Sequence, residues 1–583
     1  METSGKTLKI ASLFLLFIFG LLIFLGAIFK IVVDDRKLPK LVISEKNRAI
    51  RGSIVSKDGY QLAYSNKLYK VGVDTRCIDP AKKELFINLV SIYSDVPKKV
   101  IRKKLRTKGY VVLSYNIDTK RAYQLKLLSR KLYRMDMFVP YRKGDSFTIR
   151  GLEVIESGET RRYPYKDTLE PVLGYVRKYD KKGYTVVDSF ETKGLERYYR
   201  KYLLAKQDGL IKGKRDIGNN IILNKEAVIK KRIDGYNVHL NVDMLLQKSI
   251  ENIIDNHKSD LDAKEIIAAV MESSTGRIIA IASTNRYNPK KKRKKDIPNL
   301  SAKVVEYSFE PGSVMKPVTF ALLLEHRLVN PYEVVRGYNG RYKLGRKIIT
   351  DEHKEAWLSA ENVIVHSSNI GIAQLAQRLK YDQFYHGLKK FGFAQKTGID
   401  LPNEHVGSLI PIYKFKSEIY KATVGYGYGM RATFMQLLKA YNVFNNEGWA
   451  ISPRIAAFLS DQRGKKKELP PQKRTQVLSS KTANTMREIL KKVVKKGTAT
   501  LTDIEGLEIG GKTGTAHIAR GGRYVRAYNS SFFGFANDAK HRYTIGVTVI
   551  EPKEKYFASQ TAVPVFRDIV MELVNEGYLS IER

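Results

Sequence analysis

The sequence contains little cysteine and comparatively little negative charge. Its 583 residues include one cysteine, Cys77, which excludes an intramolecular disulfide framework and any metal site built from several cysteines. The 59 acidic residues are outnumbered by 103 lysines and arginines, so the formal net charge is +44 at pH 7. This balance favours a polyanionic partner (nucleic acid, anionic lipid or an acidic polymer), although a lysine-rich proteome would produce it too.

The motifs of two common hydrolase classes are missing as well. The nine histidines form no H-E-x-x-H pair, which would indicate a zinc peptidase. No G-x-S-x-G segment marks the nucleophile turn of an α/β-hydrolase. We therefore expect neither a metal nor a cofactor.

The sequence has one clear long apolar run, which is residues 10–29. These 20 positions carry no charge, and as a helix they would cross the roughly 30 Å hydrocarbon core of a bilayer. A cleaved signal peptide is the alternative, but its apolar core is about 7–15 residues long and ends at a small-x-small site. We expect an uncleaved anchor over 10–33.

The charges beside this run predict its orientation. Lys6 and Lys9 precede it, so residues 1–9 are expected to form a short cytoplasmic tail and the rest of the chain to lie outside the cytoplasm. That topology argues against nucleic acid as the partner. It also argues against a nuclear localisation signal in the basic loop 290–295, whose role stays open.

The pattern of charged and apolar residues in the rest of the chain changes near residue 236. Residues 34–235 are mixed and basic, with short alternating stretches such as "SIVSKDGYQLAYS" (53–65), where Asp58-Gly59 predicts a hairpin turn. Beyond 236 we expect a strand, a helix with Leu245 among its apolar residues, and two buried strands over 265–284.

A helix-rich middle then extends to about residue 455. The Lys-rich segment 464–474 is expected to be a solvated loop, and strand-like runs return between 506 and 552 before a last helix near 564–577. Strands at both ends with helices between them predict one sheet built from the two termini of a domain. The fold class is therefore α/β or α+β.

The first of three motifs that could carry chemistry is "SVMK" (313–316). Pro317 is tolerated only in the first turn of a helix, so a helix must begin close to Ser313. Ser313 and Lys316 then share a face, with Cβ atoms about 5–6 Å apart. Burial and the helix macrodipole would lower the pKa of Lys316 and let it act as a base for Ser313. The alternative is a serine that caps the helix beside a solvated lysine.

The second motif is "HSSNIG" (366–371), which places Ser367 and Asn369 just ahead of a helical pattern. A serine hydroxyl can relay a proton, and an asparagine amide can hold a substrate carbonyl. A simple helix cap is the alternative interpretation of this triplet.

The third motif, K-T-G, occurs twice. Lys512-Thr513-Gly514 lies in a strand-like run after a double glycine, whereas Lys396-Thr397-Gly398 precedes a proline-containing loop. An edge strand whose glycines allow close approach can pair with an extended peptide, and its lysine and threonine can hold a carboxylate. We assign the function to 512–514 and predict a turn at 396–398.

In this order the three motifs resemble the S-x-x-K, S-x-N and K-T-G set of penicillin-binding proteins and class A β-lactamases. Residues 51–63, 151–165 and 193–203 resemble the non-catalytic pedestal of class B penicillin-binding proteins. Residues 366–371 and 424–437 are more similar to the septal, division-type enzymes than to the elongation type. No segment resembles a glycosyltransferase domain, which argues against class A.

The resemblance implies a transpeptidase domain over 236–583, a mainly β or mixed pedestal over 34–235 and one transmembrane helix. Ser313, activated by Lys316, would attack the penultimate D-Ala carbonyl of a peptidoglycan stem peptide, and backbone N–H groups of Ser313 and Thr515 would form an oxyanion hole. The other roles implied are proton transfer to the leaving amine by Ser367, orientation of the donor by Asn369, and binding of its carboxylate by Lys512, Thr513, Gly514 and Thr515.

The resemblance also implies partners and a location. β-Lactams should acylate the same serine, and a single-pass protein of the bacterial inner membrane with a periplasmic catalytic domain should meet division-machinery and glycosyltransferase membrane proteins. The alternatives are an elongation-type transpeptidase, a D,D-carboxypeptidase or β-lactamase that passes the acyl group to water, a β-lactam sensor, and a mainly scaffolding division protein.

Overall fold

The computed structural model describes residues 2–33, 41–143, 146–181, 184–216 and 221–581. Contacts divide the chain into two compact units. The anchor unit comprises Met1–Arg48 and Gln207–Arg232, and the main unit comprises Ala49–Lys206 and Ile233–Arg583. The predicted start of the pedestal at residue 34 lies outside the described residues, and the predicted boundary at 235/236 stays a prediction.

The helices follow one another along the chain with these bounds: α1 Glu2–Val33, α2 Lys83–Ser94, α3 Lys98–Lys104, α4 Thr119–Arg134, α5 Gly194–Tyr198, α6 Arg200–Leu203, α7 Met244–Asp260, α8 Lys303–Glu306, α9 Lys316–Glu325, α10 Ala360–Val365, α11 Asn369–Leu375, α12 Tyr381–Phe391, α13 Glu418–Gly425, α14 Phe434–Asn445, α15 Ser480–Lys496 and α16 Ala562–Asn575.

The strands up to the middle of the chain are β1 Val42–Asn47, β2 Ile54–Val55, β3 Gln61–Asp74, β4 Tyr110–Ile117, β5 Tyr141–Lys143, β6 Ser146–Thr148, β7 Glu153–Arg162, β8 Arg177–Asp180, β9 Thr185–Asp188, β10 Gly209–Lys214, β11 Val228–Lys230, β12 Asn237–Leu240, β13 Glu265–Glu272 and β14 Ile278–Ser283. The later strands are β15 Ser308–Phe309, β16 Val334–Arg336, β17 Arg341–Leu344, β18 Lys347–Thr350, β19 Trp357–Ser359, β20 Ala432–Thr433, β21 Trp449–Ile451, β22 Ala456–Ser460, β23 Lys466–Glu468, β24 Arg474–Gln476, β25 Glu508–Arg520, β26 Arg523–Asn537 and β27 Arg542–Ile550.

The anchor unit combines one long helix with a small sheet. Within the described ranges, α1 alone is long and apolar enough to span a membrane, over the 27 residues Thr7–Val33. Strands β1, β10 and β11 form an antiparallel three-stranded sheet in that order, with Val42 opposite Lys214. Strand β1 therefore pairs with β10, a strand about 160 residues later in the sequence.

A nine-stranded sheet in the main unit joins pedestal and catalytic segments. Its order is β23-β22-β12-β2-β3-β7-β9-β8, and β4 also pairs with β3. Strands β2 and β3 flank the predicted turn at Asp58-Gly59, which confirms that hairpin. Strand β12 pairs in parallel with β2 and antiparallel with β22, so one hydrogen-bonded sheet contains residues from both predicted domains.

A second sheet forms the centre of the predicted domain 236–583. Its order is β14-β13-β27-β26-β25, with every neighbouring pair antiparallel. Phe532 and Phe533 are adjacent in β26 and point to opposite faces, where they pack against Phe566 of α16 and Phe434 of α14. An early strand of the domain, β13, thus pairs with its last strand, β27, in one helix-covered sheet, which confirms the predicted α/β (α+β) class.

A buried ion cluster links strands of the pedestal to α5. The fully buried carboxylate of Glu196 accepts from Nε of Arg51 at 2.9 Å and from Nε of Arg161 at 2.7 Å. Burial alone would raise the pKa of Glu196, but the two guanidinium groups outweigh it and hold the pKa below its usual value. Removing one partner would leave an uncompensated buried charge, which is strongly destabilising.

Candidate active site

Ser313 lies in a short 3₁₀ turn, Gly312–Met315, that continues directly into α9. Pro317 occupies the first turn of that helix, as the sequence predicts. The turn is held from two sides, because the Gly312 N–H donates to the Gly427 carbonyl at 3.0 Å and the Tyr441 hydroxyl donates to the Val314 carbonyl at 2.8 Å. Ser313 is half-buried and faces a cavity.

Lys316 is completely buried beneath this turn. Its ammonium nitrogen Nζ donates to the Ser367 hydroxyl at 3.2 Å and to the Ser367 carbonyl. Burial lowers the pKa of Lys316 to about 7, against the opposing effects of Asp351 and Glu352. A lysine of this kind is neutral for much of the time near neutral pH and can accept a proton.

Ser367 lies in the turn between α10 and α11, and Asn369 is the first residue of α11. Ser367 has φ +62°, a left-handed conformation that costs a non-glycine residue free energy and is concentrated at functional sites. Asp351 holds this turn in place by accepting the N–H groups of Asn369 at 2.5 Å and Ile370 at 3.1 Å. The Asn369 side chain donates to the Thr350 carbonyl at 3.0 Å.

Strand β25 carries the K-T-G motif at the edge of the five-stranded sheet, as predicted. A Cβ atom on Gly514 would lie 2.7 Å from Cγ1 of Val314 and 3.2 Å from the Pro311 carbonyl oxygen. Glycine is therefore required for β25 to approach the Ser313 turn. Thr515 accepts the Ala558 N–H through Oγ1 at 3.1 Å, which fixes its hydroxyl beside the cavity.

Lys512 is buried like Lys316. Its Nζ donates to the carbonyl and hydroxyl oxygens of Thr513 at 3.2 and 3.3 Å, and the Thr513 hydroxyl lies 2.7 Å from that of Thr498. Burial lowers the pKa of Lys512 well below its usual value, and the charge of Lys316 lowers it further. A carboxylate bound here would offset the burial and favour the charged ammonium.

The three motifs meet around one cavity of about 310 Å³. Six of the predicted residues line it, and the two lysines lie buried in hydrogen-bond contact with Ser367 and Thr513. The six lining residues are Ser313, Ser367, Asn369, Thr513, Gly514 and Thr515.

The second K-T-G triplet lies elsewhere. Thr397 is buried and donates its hydroxyl to Glu404 at 2.5 Å, and Lys439 donates to its carbonyl at 2.9 Å. Residues 396–398 belong to neither a helix nor a strand, and the turn nearest to them lies at 392–394, so the turn predicted for 396–398 is not found there.

Several lining residues were not predicted from the sequence. They are Glu352, His353, His366, Tyr428, Thr498, His517, Phe557, Ala558 and Ser559. His366 directly precedes Ser367, so its position beside a motif was a usable signal. Glu352 and His353 follow the β17–β18 hairpin, and only the tertiary fold brings that loop to the cavity.

Two family models match the chain. Residues 266–571 match the penicillin binding protein transpeptidase domain, and residues 46–240 match the penicillin-binding protein dimerisation domain. The first match alone covers more than half of the chain.

Curated relatives and solved structures agree with these matches. Stage V sporulation protein D of Bacillus subtilis is 27% identical, over 99% of this chain and 87% of its own length. Peptidoglycan D,D-transpeptidase FtsI of Buchnera aphidicola is 26% identical, over 90% of this chain and 86% of its own. The crystal structure of penicillin binding protein 3 from Mycobacterium tuberculosis with aztreonam has a TM-score of 0.65 and 23% identity, over 92% of this chain and 98% of that one.

Proposed function

Because this chain belongs to the penicillin-binding protein transpeptidase family, with the dimerisation domain that marks class B, we propose that its peptidoglycan D,D-transpeptidase activity uses an acyl-enzyme on Ser313 and serves septal wall synthesis. The observation that carries the proposal is the buried Lys316, whose Nζ lies 3.2 Å from the Ser367 hydroxyl beside the cavity that Ser313 faces.

Acylation begins with a proton transfer to the neutral Lys316. As Ser313 Oγ attacks the penultimate D-Ala carbonyl, its proton passes to Lys316 Nζ. Backbone N–H groups of Ser313 and Thr515 stabilise the oxyanion of the tetrahedral intermediate. The C–N bond then breaks, the proton returns through Ser367 to the leaving amine, and free D-Ala departs from an ester on Ser313.

The second half of the reaction reverses these proton movements. A neutral amine from a neighbouring stem peptide attacks the ester carbonyl, and one of its protons passes back to Ser313 Oγ as the ester C–O bond breaks. An amide cross-link and free Ser313 result. During the earlier acylation, Asn369 orients the donor peptide, and Lys512, Thr513 and Thr515 hold its terminal carboxylate until D-Ala departs.

β-Lactams should form the same ester. The neighbouring fold from M. tuberculosis was solved with aztreonam, and a β-lactam carboxylate presents the same charge as the donor terminus. The helix α1 supports a single-pass location in the bacterial inner membrane with the catalytic domain outside the cytoplasm. The named relative FtsI and the resemblance of residues 366–371 support septal use beside division and glycosyltransferase membrane partners.

Labelling with a fluorescent penicillin tests the nucleophile. Ser313→Ala should abolish covalent labelling of the full-length protein, because no oxygen remains to form the ester. Ser417→Ala is the matched control, since Ser417 makes no side-chain cap hydrogen bond and lies outside the cavity lining. Labelling of Ser313→Ala at the wild-type level would contradict the assignment.

A further inference from the structure

A second cavity opens beside the one that contains Ser313. This side cavity encloses about 580 Å³, and Thr498 and Phe557 line both spaces. Glu352, His353 and His366 also line both cavities, whereas Glu355 lines only the side cavity. The two cavities are therefore neighbours that share one wall.

The side cavity adjoins the end of the site where the leaving group is held. Thr498, which lines it, places its hydroxyl 2.7 Å from that of Thr513. In the proposed function Thr513 binds the carboxylate of the departing D-Ala, so the scissile amine lies near this end. By microscopic reversibility, the incoming amine must take the position that the leaving amine vacates. An acceptor therefore has to enter from this side.

The chemistry of the side cavity suits a cationic amine. Nδ1 of His366 lies 2.7 Å from Oε1 of Glu355, and both side chains are about one-third exposed. The other ring nitrogen of His366 has no hydrogen-bond partner among the described residues. A carboxylate that holds Nδ1 in this way orients the ring and leaves the other ring nitrogen facing the cavity as a possible proton acceptor.

The charged side chains that line the side cavity are mostly acidic, although the chain as a whole is strongly basic. Glu352 lines both cavities, and Lys496 is an exposed cation of the side cavity. Asp351 is occupied, because it accepts the N–H groups at the start of α11. Glu352 and the His366–Glu355 pair are thus the groups that face an incoming ammonium.

We propose that the side cavity is the acceptor subsite of the transpeptidase, where Glu352 attracts the primary ammonium of a second stem peptide and His366, positioned by Glu355, removes its first proton. This inference rests on the proposed function. The ammonium loses one proton to His366 and then attacks the ester of Ser313 as a neutral amine. Its second proton passes to Ser313 Oγ as the C–O bond breaks, and His366 releases the first proton to solvent.

The test measures how the acyl-enzyme divides between amine and water. Full-length protein in detergent receives a D-alanyl thioester donor and a stem tripeptide with a free side-chain amine, supplied in lysine and diaminopimelate forms. Glu352→Gln, Glu355→Gln and His366→Gln should each lower the ratio of amide to hydrolysis product at least tenfold. The ratio is taken over acyl-enzyme that has already formed, so a variant that also changes the rate of acylation does not alter the comparison.

Glu468→Gln is the control, because Glu468 is an exposed carboxylate of β23 away from both cavities. Glu352→Gln should raise the acceptor concentration needed for half-maximal transfer, whereas Glu355→Gln and His366→Gln should lower the maximal transfer rate. Product ratios at the wild-type value in all three variants would overturn the inference, as would a wild-type enzyme that acylates but transfers to neither acceptor. Absence of Ser313-dependent acylation in the wild type would instead refute the proposed function.

Discussion

Two buried lysines, Lys316 and Lys512, determine the electrostatics of the active site at the scale of single residues. Burial lowers the pKa of both, and a charge on Lys316 lowers that of Lys512 further. The site without substrate therefore disfavours two simultaneous ammonium groups. In the proposed mechanism, a bound donor carboxylate would favour the proton on Lys512 and leave Lys316 free to act as the base, so substrate binding would itself prepare the catalyst.

The rate of acylation should follow the neutral fraction of Lys316. With a pKa of about 7, this fraction rises as the pH rises through neutrality, so below that pH the rate of penicillin acylation should climb about tenfold per unit and then level off. Initial rates of fluorescent penicillin labelling between pH 5.5 and 8 check this.

Lys316→Arg provides the control for that profile. A guanidinium stays protonated throughout this range, so the variant should label at least about 100-fold more slowly at every pH. A wild-type rate that is independent of pH across the range would contradict a neutral Lys316 base.

The residues predicted from the sequence share one property, which is that each belongs to a short contiguous motif. Ser313 and Lys316 could be related to each other through helix geometry before the fold was known. Glu352 and Glu355 could not, because they follow a β hairpin whose return to the cavity depends on tertiary packing. The meeting of Lys316 with Ser367, 51 residues away, is also a product of the fold and not of local sequence.

At the scale of elements, the edge strand β25 packs so closely against the Ser313 turn that a side chain at Gly514 would not fit. Gly514 lacks the Cβ atom that would collide with Val314. The same approach brings the edge of β25 beside the nucleophile, where an extended peptide can pair with it. The absence of a side chain at Gly514 therefore determines how closely β25 approaches Ser313.

Gly514→Ala should push β25 away from Ser313. The added Cβ would lie 2.7 Å from Cγ1 of Val314, so we expect penicillin acylation to fall about 10- to 100-fold, as misplacements of about 1 Å do in other active sites. Val314→Ala in the same chain removes that Cγ1 atom and should restore part of the rate. Wild-type acylation by the single Gly514→Ala variant would contradict this account.

One predicted helix has an exposed apolar residue, and one predicted loop contains strands. Leu245 is 59% exposed, because the buried stripe of α7 follows Leu246, Ile250 and Ile254 at four-residue spacing and Leu245 lies off it. The segment 464–474 contains β23 and the first residue of β24, which pair with β22 and β21. Every residue of both strands is exposed, so the sequence has no alternation of apolar and polar residues there from which the strands could be predicted.

At the scale of the whole molecule, the predicted class B penicillin-binding protein is confirmed by both family matches. The resemblance was recognisable in the sequence because each of its motifs is a short contiguous run of residues. The sharing of one sheet by pedestal and catalytic segments was not predicted, since the pairing of β2 with β12 joins residues far apart in the chain.

Depletion of the protein in cells tests its septal role. Loss of a septal transpeptidase should leave elongation intact, so cells should grow into filaments with unfinished septa. Expression of wild-type protein should restore division, whereas Ser313→Ala should not, which separates catalysis from scaffolding. Rounded or bulging cells would point to lateral-wall synthesis and contradict the septal proposal.

The shared sheet has a mechanical consequence. The described residues at the predicted boundary belong to one sheet, because β12 pairs with β2 on one side and with β22 on the other. Tension between the pedestal and a polymer strand attached to Ser313 would load that sheet, and yielding would require several backbone hydrogen bonds to break together. The sheet would therefore behave as a stiff coupling that keeps the catalytic serine at a constant distance from the pedestal while the wall is stretched.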